Sequence, residues 1–237
     1  MYDNMKKSLL ITLLAFLPLI AITVSSQCRY CNTYEDFLEG HWEQVDTVYF
    51  SSHSKKHQVW VGGNDFTLKA GDKAIDKILK KKAFAVMQGD ELYVNCRNLR
   101  FEKTSFGKGY TKAIRMGEND LLLVNKMIGR DAQLNAAMTG FFFGAIGAAL
   151  VAGDLAKQQV CYVISNGANK KGRITIQLID DEYMHPIVQD DDQLHFEYWS
   201  EADRSKRIHA SHVLPILEKA GLIELTPSQR FYEPRKK

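Results

Sequence analysis

The sequence predicts an α+β fold: an antiparallel β-sheet built from hairpins, an apolar Gly/Ala-rich central helix and a helical C-terminal part. Three patterns carry this. Apolar and polar residues alternate in short runs between residues 45 and 126 and again between 160 and 179, the period of a half-buried strand. Leu134–Gly153 (LNAAMTGFFFGAIGAALVAG) runs for twenty residues without a charge, although 25% of the chain is charged. From residue 181 to 220 the apolar spacing shifts to three and four, the period of a helix face.

At the N-terminus, Lys6 and Lys7 precede an apolar run, Leu9–Val24, and Val24-Ser25-Ser26 places small residues where a signal peptidase reads. The expectation is a signal peptide over residues 1–26, cut after Ser26, with export to the periplasm or cell envelope. An uncleaved anchor is one alternative. Lipidation at Cys28 is another, although Ser25 and Gln27 depart from the aliphatic and small residues a lipobox wants. Residues 27–225 then form a single domain, and 226–237 a loose tail.

Within that domain, Asn32 or Thr33 caps a helix over Tyr34–Trp42, with Glu35 and Asp36 in its first turn. Strands follow at Val48–Phe50, His57–Val61 and Asp65–Lys69. Asp72 caps a basic helix, Lys73–Lys82, with Ile75, Ile78 and Leu79 on one stripe. Ala83–Met87 and Glu91–Cys96 read as a hairpin turning at Gln88-Gly89-Asp90. Leu99–Phe101, Tyr110–Met116 and Leu121–Val124 are further strands, with Phe106-Gly107-Lys108-Gly109-Tyr110 and Gly117-Glu118-Asn119-Asp120 as turns. The central helix spans 131–156. A second hairpin joins Val160–Ser165 to Arg173–Ile179. Helices then fill 181–220: Asp190–Asp192 open one, and Asp203 or Ser205 opens another over Lys206–Ala220, bent at Pro215 and stopped at Gly221.

The apolar segment admits three arrangements. As a buried helix it has one ridge of small residues, Ala136, Gly140, Gly144, Ala148 and Ala152, four apart and therefore on one face. Met138, Phe142, Ile146 and Leu150 back that ridge. Each glycine costs such a helix about 1 kcal/mol relative to alanine, so close packing must offset it. As a membrane element, the eighteen residues from Ala136 to Gly153 span about 27 Å, barely the hydrocarbon thickness, with Gly140-x-x-x-Gly144 in the grammar of helix association in lipid. A glycine-broken surface hairpin is the third. The buried helix is preferred, and membrane contact or self-association through Leu134–Gly153 is the alternative.

Composition bounds the function. The hydrophobic content of 45% excludes a disordered chain. A net charge of +3 with interspersed signs argues against nucleic acid as a partner. Cys28, Cys31, Cys96 and Cys161 are an even set, candidate disulfide residues in an oxidising compartment, with buried free thiols the plainer reading. Cys28-Arg29-Tyr30-Cys31 stands at the start of the mature chain, not inside the βαβ unit of a thioredoxin-type site. His53 with His57, and His209 with His212, are spaced for one helix face but lack a third ligand, so no metal is expected. Asp190–Asp192 fit helix capping and lack the spacing of a calcium loop. Trp42, Tyr49, Phe50 and Trp60, and later Phe196, Tyr198 and Trp199, read as core aromatics with a binding groove as the alternative. No catalytic motif and no cofactor fingerprint is present.

Trp60-Val-Gly-Gly-Asn-Asp-Phe66, Leu92-Tyr-Val-Asn-Cys-Arg-Asn-Leu-Arg-Phe101 and Phe106–Tyr110, with the Gly/Ala-rich segment, resemble an uncharacterised family of exported Bacteroidetes proteins, a domain of unknown function. The resemblance covers most of the mature chain; it implies export and no functional residue. The expected function is that of an exported, non-enzymatic envelope protein whose apolar helix packs internally or on a partner. The alternatives are a membrane-associated or self-assembling protein using a glycine zipper, and a hydrolase without a recognisable motif.

Overall fold

Ten strands share one sheet in the computed structural model, which describes residues 27–54, 64–128 and 159–226. The first are β1 (Cys28–Cys31), β2 (Glu43–Val45), β3 (Tyr49–Ser52), β4 (Phe66–Lys69), β5 (Ala85–Gln88) and β6 (Glu91–Asn95). They are followed by β7 (Leu99–Phe101), β8 (Thr104–Ser105), β9 (Tyr110–Met116), β10 (Asp120–Lys126), β11 (Gln159–Ile164), β12 (Ile174–Thr175) and β13 (Gln177–Leu178). The main sheet runs β13-β11-β10-β9-β6-β5-β1-β2, and β4 joins β3 to β9 through Phe66↔Tyr110. β12, β7 and β8 form a second, small sheet. The α+β class is as expected. The helices are α1 (Tyr34–Glu39), α2 (Lys73–Lys81), α3 (Asp181–Val188), α4 (Asp192–Trp199), α5 (Arg204–Arg207) and α6 (Ala210–Lys219).

Strand alternation sorts the core into two faces. One carries Cys31, Ala85, Val94, Ala113, Leu121, Leu123 and Tyr162, covered by Tyr34 and Phe37 of α1 and by Leu99 and Ile174 of the small sheet. On the other face, Ile114, Leu122 and Val163 pack under α3, α4 and α6, while Tyr30, Val86 and Tyr93 pack under Leu68 and Leu79. Leu79 is fully buried and anchors α2 to the sheet; cutting it to alanine removes about 3 kcal/mol.

Local chemistry sets the boundaries. Thr33 and Asp36 form a reciprocal capping box at 3.0 Å in both directions, and Gly40 at φ 74° stops α1 before Trp42. Asp72 receives the N–H groups of Ala74 and Ile75, so α2 starts where the sequence places it. The expected helix over 206–220 is two helices, α5 capped by Asp203 and α6 after a break at Ile208-His209; Pro215 lies inside α6. The hairpin after β11 is partial. Gln177 and Leu178 pair with Val163 and Tyr162, whereas Ile174 and Thr175 leave to run parallel to Leu99 and Arg100.

β1 and β2 are strands the sequence reading leaves out. β1 is an inner strand, flanked by β2 and β5. Leu134–Gly153, with its ridge Ala136, Gly140, Gly144, Ala148 and Ala152, lies outside the described residues, as do His57–Val61, residues 1–26 and 227–237. Among the described residues no helix is long and apolar enough to cross a membrane.

Candidate functional site

At the Tyr110 end of β9, a cavity of about 440 Å³ opens between β4, α2, the turn after β6 and the loop before β9. Each of these four segments contributes a cation: Lys69 from β4, Lys80 from α2, Arg97 from the turn and Lys108 from the loop. Among the described residues of the lining Asp76 is the only carboxylate, and its Oδ1 accepts the Ala70 N–H at 2.6 Å. None of the four cations forms an ion pair with another described residue. The lining therefore carries four positive charges against one negative.

The floor is fixed by hydrogen bonds. Tyr110 donates its hydroxyl to the Leu79 carbonyl at 2.6 Å. Asn95 donates to the carbonyls of Leu79 and Ala83 at 3.1 and 3.0 Å, tying β6 to the end of α2, and its Oδ1 accepts the Arg97 N–H at 3.1 Å. One side chain thus sets both the helix that carries Lys80 and the turn that carries Arg97. Burial is the main cause that pushes the Tyr110 phenol far above its ordinary value.

Lys108 is held by glycines. Gly109 has φ 89°, and a Cβ there would stand 2.6 Å from the Phe66 carbonyl oxygen; Gly107 has φ 113° and would bring a Cβ 3.0 Å from Asn64 Nδ2. Buried Asn64 bonds the loop with its backbone N–H to the Lys108 carbonyl at 2.8 Å and with its amide to the carbonyls of Phe106 and Lys108 at 3.2 Å. Its Oδ1 receives Asn125 Nδ2 at 3.1 Å; Asn125 also reaches Thr111, whose hydroxyl donates to Asp65 at 2.6 Å. A polar network inside the sheet thereby fixes the loop at the cavity mouth.

Exposed charges are individually weak and screened by salt. Four of them around a concave wall reinforce one another, and a cavity of one sign concentrates counter-ions. Chemically the site can hold an anion. At the other end of β9 lies a hollow of about 650 Å³ with Glu118, Asp120 and Glu182 on its lining, so the two ends of the strand differ in sign.

The residues singled out in the sequence fall elsewhere. All four cysteines, the disulfide candidates Cys28, Cys31, Cys96 and Cys161, are free and buried. On β1, Cys28 and Cys31 face opposite sides of the sheet, and Cys96 and Cys161 likewise sit in cores on opposite faces. Burial pushes the Cys31 thiol up to about 12 and holds Cys96 and Cys161 well above the ordinary thiol value. His53 faces the Asn64 carbonyl at 2.9 Å and Thr67 at 3.2 Å; His209 stands at the N-terminal boundary of α6 without a side-chain capping bond, and His212 meets the Tyr198 carbonyl at 2.9 Å. Asp191 caps α4. Phe50 packs edge-on against Phe66 and tilted against Tyr93, and Tyr198 is fully buried, while Tyr49 and Phe196 are exposed. The cavity cations were visible only as a helix, a strand end and a turn.

Fold and cavity define an α+β domain with a basic pocket against one face of a large antiparallel sheet. The chain belongs to a family of unknown function (DUF6563), matched over residues 29–224. No curated protein and no solved structure matches it.

Proposed function

We propose that the protein is an exported, non-enzymatic binding domain of the periplasm or cell envelope that takes an anionic small molecule in the basic cavity. The single observation that carries this is the convergence of Lys69, Lys80, Arg97 and Lys108 on one hollow, with no ion-pair partner among the described residues. Binding is favoured over catalysis because Asp76 and Tyr110, the two lining groups suited to moving a proton, are both committed to backbone partners. Export rests on the N-terminal segment, and it is supported by β1 beginning two residues after the expected cut at Ser26. The burial of Cys28 in the core under Leu79 argues against the lipidated form, whose sulfur must reach the membrane. The small-residue ridge of Leu134–Gly153 supports close packing on the domain or on a partner.

A thermal-shift screen of anionic, neutral and cationic small molecules tests the binding function, run on the wild type and on a Lys69→Gln/Lys80→Gln/Arg97→Gln/Lys108→Gln variant. Stabilisation by anions alone, lost in the variant, is the expected result; stabilisation that survives in the variant would refute it. Fractionation of native cells with N-terminal sequencing tests export: the expected product starts at Gln27 outside the cytoplasm. A Gly144→Leu variant with unchanged unfolding midpoint and unchanged oligomeric state would remove the packing role of the ridge.

A further inference from the structure

We infer that the ligand of the basic cavity is a phosphomonoester: a small molecule whose apolar or uncharged body lies on the floor and whose dianionic phosphate meets the cations at the mouth. This rests on the reading of the cavity as an anion site and adds the chemical class of the anion.

Charge comes first. Lys69, Lys80, Arg97 and Lys108 against Asp76 leave an excess of positive charge that one carboxylate, with a single negative charge, does not balance. A phosphomonoester carries about −1.5 to −2 near neutral pH, with its second proton leaving at about pH 6. Direction comes second. The four cations belong to four separate segments, a strand end, a helix, a turn and a glycine loop, and so reach the cavity from four elements. A planar carboxylate matches one guanidinium fork, whereas the three free oxygens of a phosphate ester accept from donors on several sides. Body comes third. Leu68 and Tyr110 supply apolar floor, and Asn95 has its amide engaged with backbone carbonyls, so the floor suits a ring or chain more than a second charge. A volume of about 440 Å³ lies within the range of small-molecule sites and is too small for a polymer.

The glycine loop supplies the precision. Gly109 lets the backbone pass closer to Phe66 than any Cβ would allow, and Asn64 pins the loop carbonyls on the inner side. Lys108 is therefore presented from a fixed backbone, which lowers the entropy lost when it meets an anion.

Calorimetric titration of the full chain at low salt distinguishes the outcomes, using four probes of one shape: phenyl phosphate, phenyl sulfate, benzoate and phenol. Phenyl phosphate is expected to bind about tenfold or more tightly than the two monoanions, and phenol least of all. Its advantage should fall as the pH is lowered from 7.5 to 5, where the ester becomes a monoanion, while phenyl sulfate stays level. Arg97→Gln and Lys108→Gln should each weaken phenyl phosphate by about tenfold; both side chains are exposed, so the fold is retained and the melting temperature serves as its control. If the three anions bind alike, or a monoanion binds more tightly, and the two variants still weaken them, the phosphate assignment is overturned and the anion site stands. If no anion binds, if phenol binds as well, or if both variants bind as wild type, the anion-site reading falls with it.

Discussion

Arg207 grips Asp181 with two parallel hydrogen bonds, Nε to Oδ1 at 2.8 Å and Nη2 to Oδ2 at 2.7 Å, joining the end of α5 to the start of α3. Tyr198 donates to the same carboxylate at 2.8 Å, and Trp199 lies under the guanidinium at 4.7 Å from its ring centre. Only 9% of the Arg207 side chain and 19% of Asp181 are exposed, so neither charge has water to replace its partner. Arg207→Ala should cost about 2–3 kcal/mol, and Arg207→Lys should recover less than half because an ammonium cannot make both bonds. Urea unfolding reads this as a lower midpoint with an unchanged slope.

The same pair predicts an acid limb. Asp181 is held below its ordinary value, first by the hydrogen bonds from Arg207 and then by Tyr198. A lowered folded value means that the unfolded chain binds the proton more readily. The stabilisation is thus complete above the unfolded value of about 3.9 and is lost as pH falls through the folded value beneath it. Urea midpoints measured between pH 7 and pH 2.5 should fall steeply below about pH 4 in the wild type, and less steeply in Arg207→Ala.

Glycine substitutions should separate conformation from collision. Gly117 has φ 59° with nothing near the site of a Cβ, whereas Gly109 has φ 89° with the Phe66 carbonyl oxygen 2.6 Å away. Gly117→Ala therefore costs about 1 kcal/mol from the left-handed backbone alone. Gly109→Ala adds a clash with backbone that has no rotamer to yield, for about 3 kcal/mol in all. Calorimetric melting of the two variants checks the order; equal losses would mean that the loop relaxes freely.

The two glycines also show what the sequence makes legible. Phe106–Tyr110 reads as a tight turn, and it is one; that it lies against Asn64, and so aims Lys108 at a cavity, depends on pairings between residues far apart in the chain. β9, β6 and α2 are visible because periodicity, turns and caps are local signals: a seven-residue run between glycine turns, the alternation of Leu92, Val94 and Cys96 after a hairpin turn, an Asp before a basic run. β1 is hidden because Cys28–Cys31 is too short to show a period and is buried on both faces, so its strand character comes from its neighbours β2 and β5. The split at Ile176 is hidden for the same reason, since continuous alternation cannot say that half a strand pairs with a different sheet. A site made from one cation on each of four segments leaves no spacing to recognise.

Asn95 couples this site to the core. Its amide satisfies the carbonyls of Leu79 in α2 and of Ala83 just after it, while Tyr110 shares only the Leu79 carbonyl. Asn95→Ala should leave the Ala83 carbonyl without this partner inside the protein and cost about 2 kcal/mol, whereas Tyr110→Phe leaves Leu79 bonded to Asn95 and should cost about 1 kcal/mol. Both are read by urea unfolding. Only Asn95→Ala should also loosen the Arg97 turn, visible as faster amide hydrogen exchange at Arg97, whose N–H loses its acceptor.

Thiol chemistry gives the last prediction. The four cysteines are free, and each is at most 3% exposed. A thiol reacts as its thiolate, and burial holds Cys31, Cys96 and Cys161 well above the pH of an ordinary thiol assay. A disulfide reagent at pH 8 should therefore label the native protein slowly, at rates set by opening of the core, and all four cysteines at once in guanidinium. The two faces of the sheet open separately, since Cys161 lies under α6 and Cys31 under α1. Arg207→Ala weakens the anchoring of the helices over Cys161, so it should speed labelling of Cys161 and leave Cys31 unchanged. Fewer than four thiols in the unreduced, denatured protein would mean that the cysteines pair in the cell, against the four free thiols of the fold.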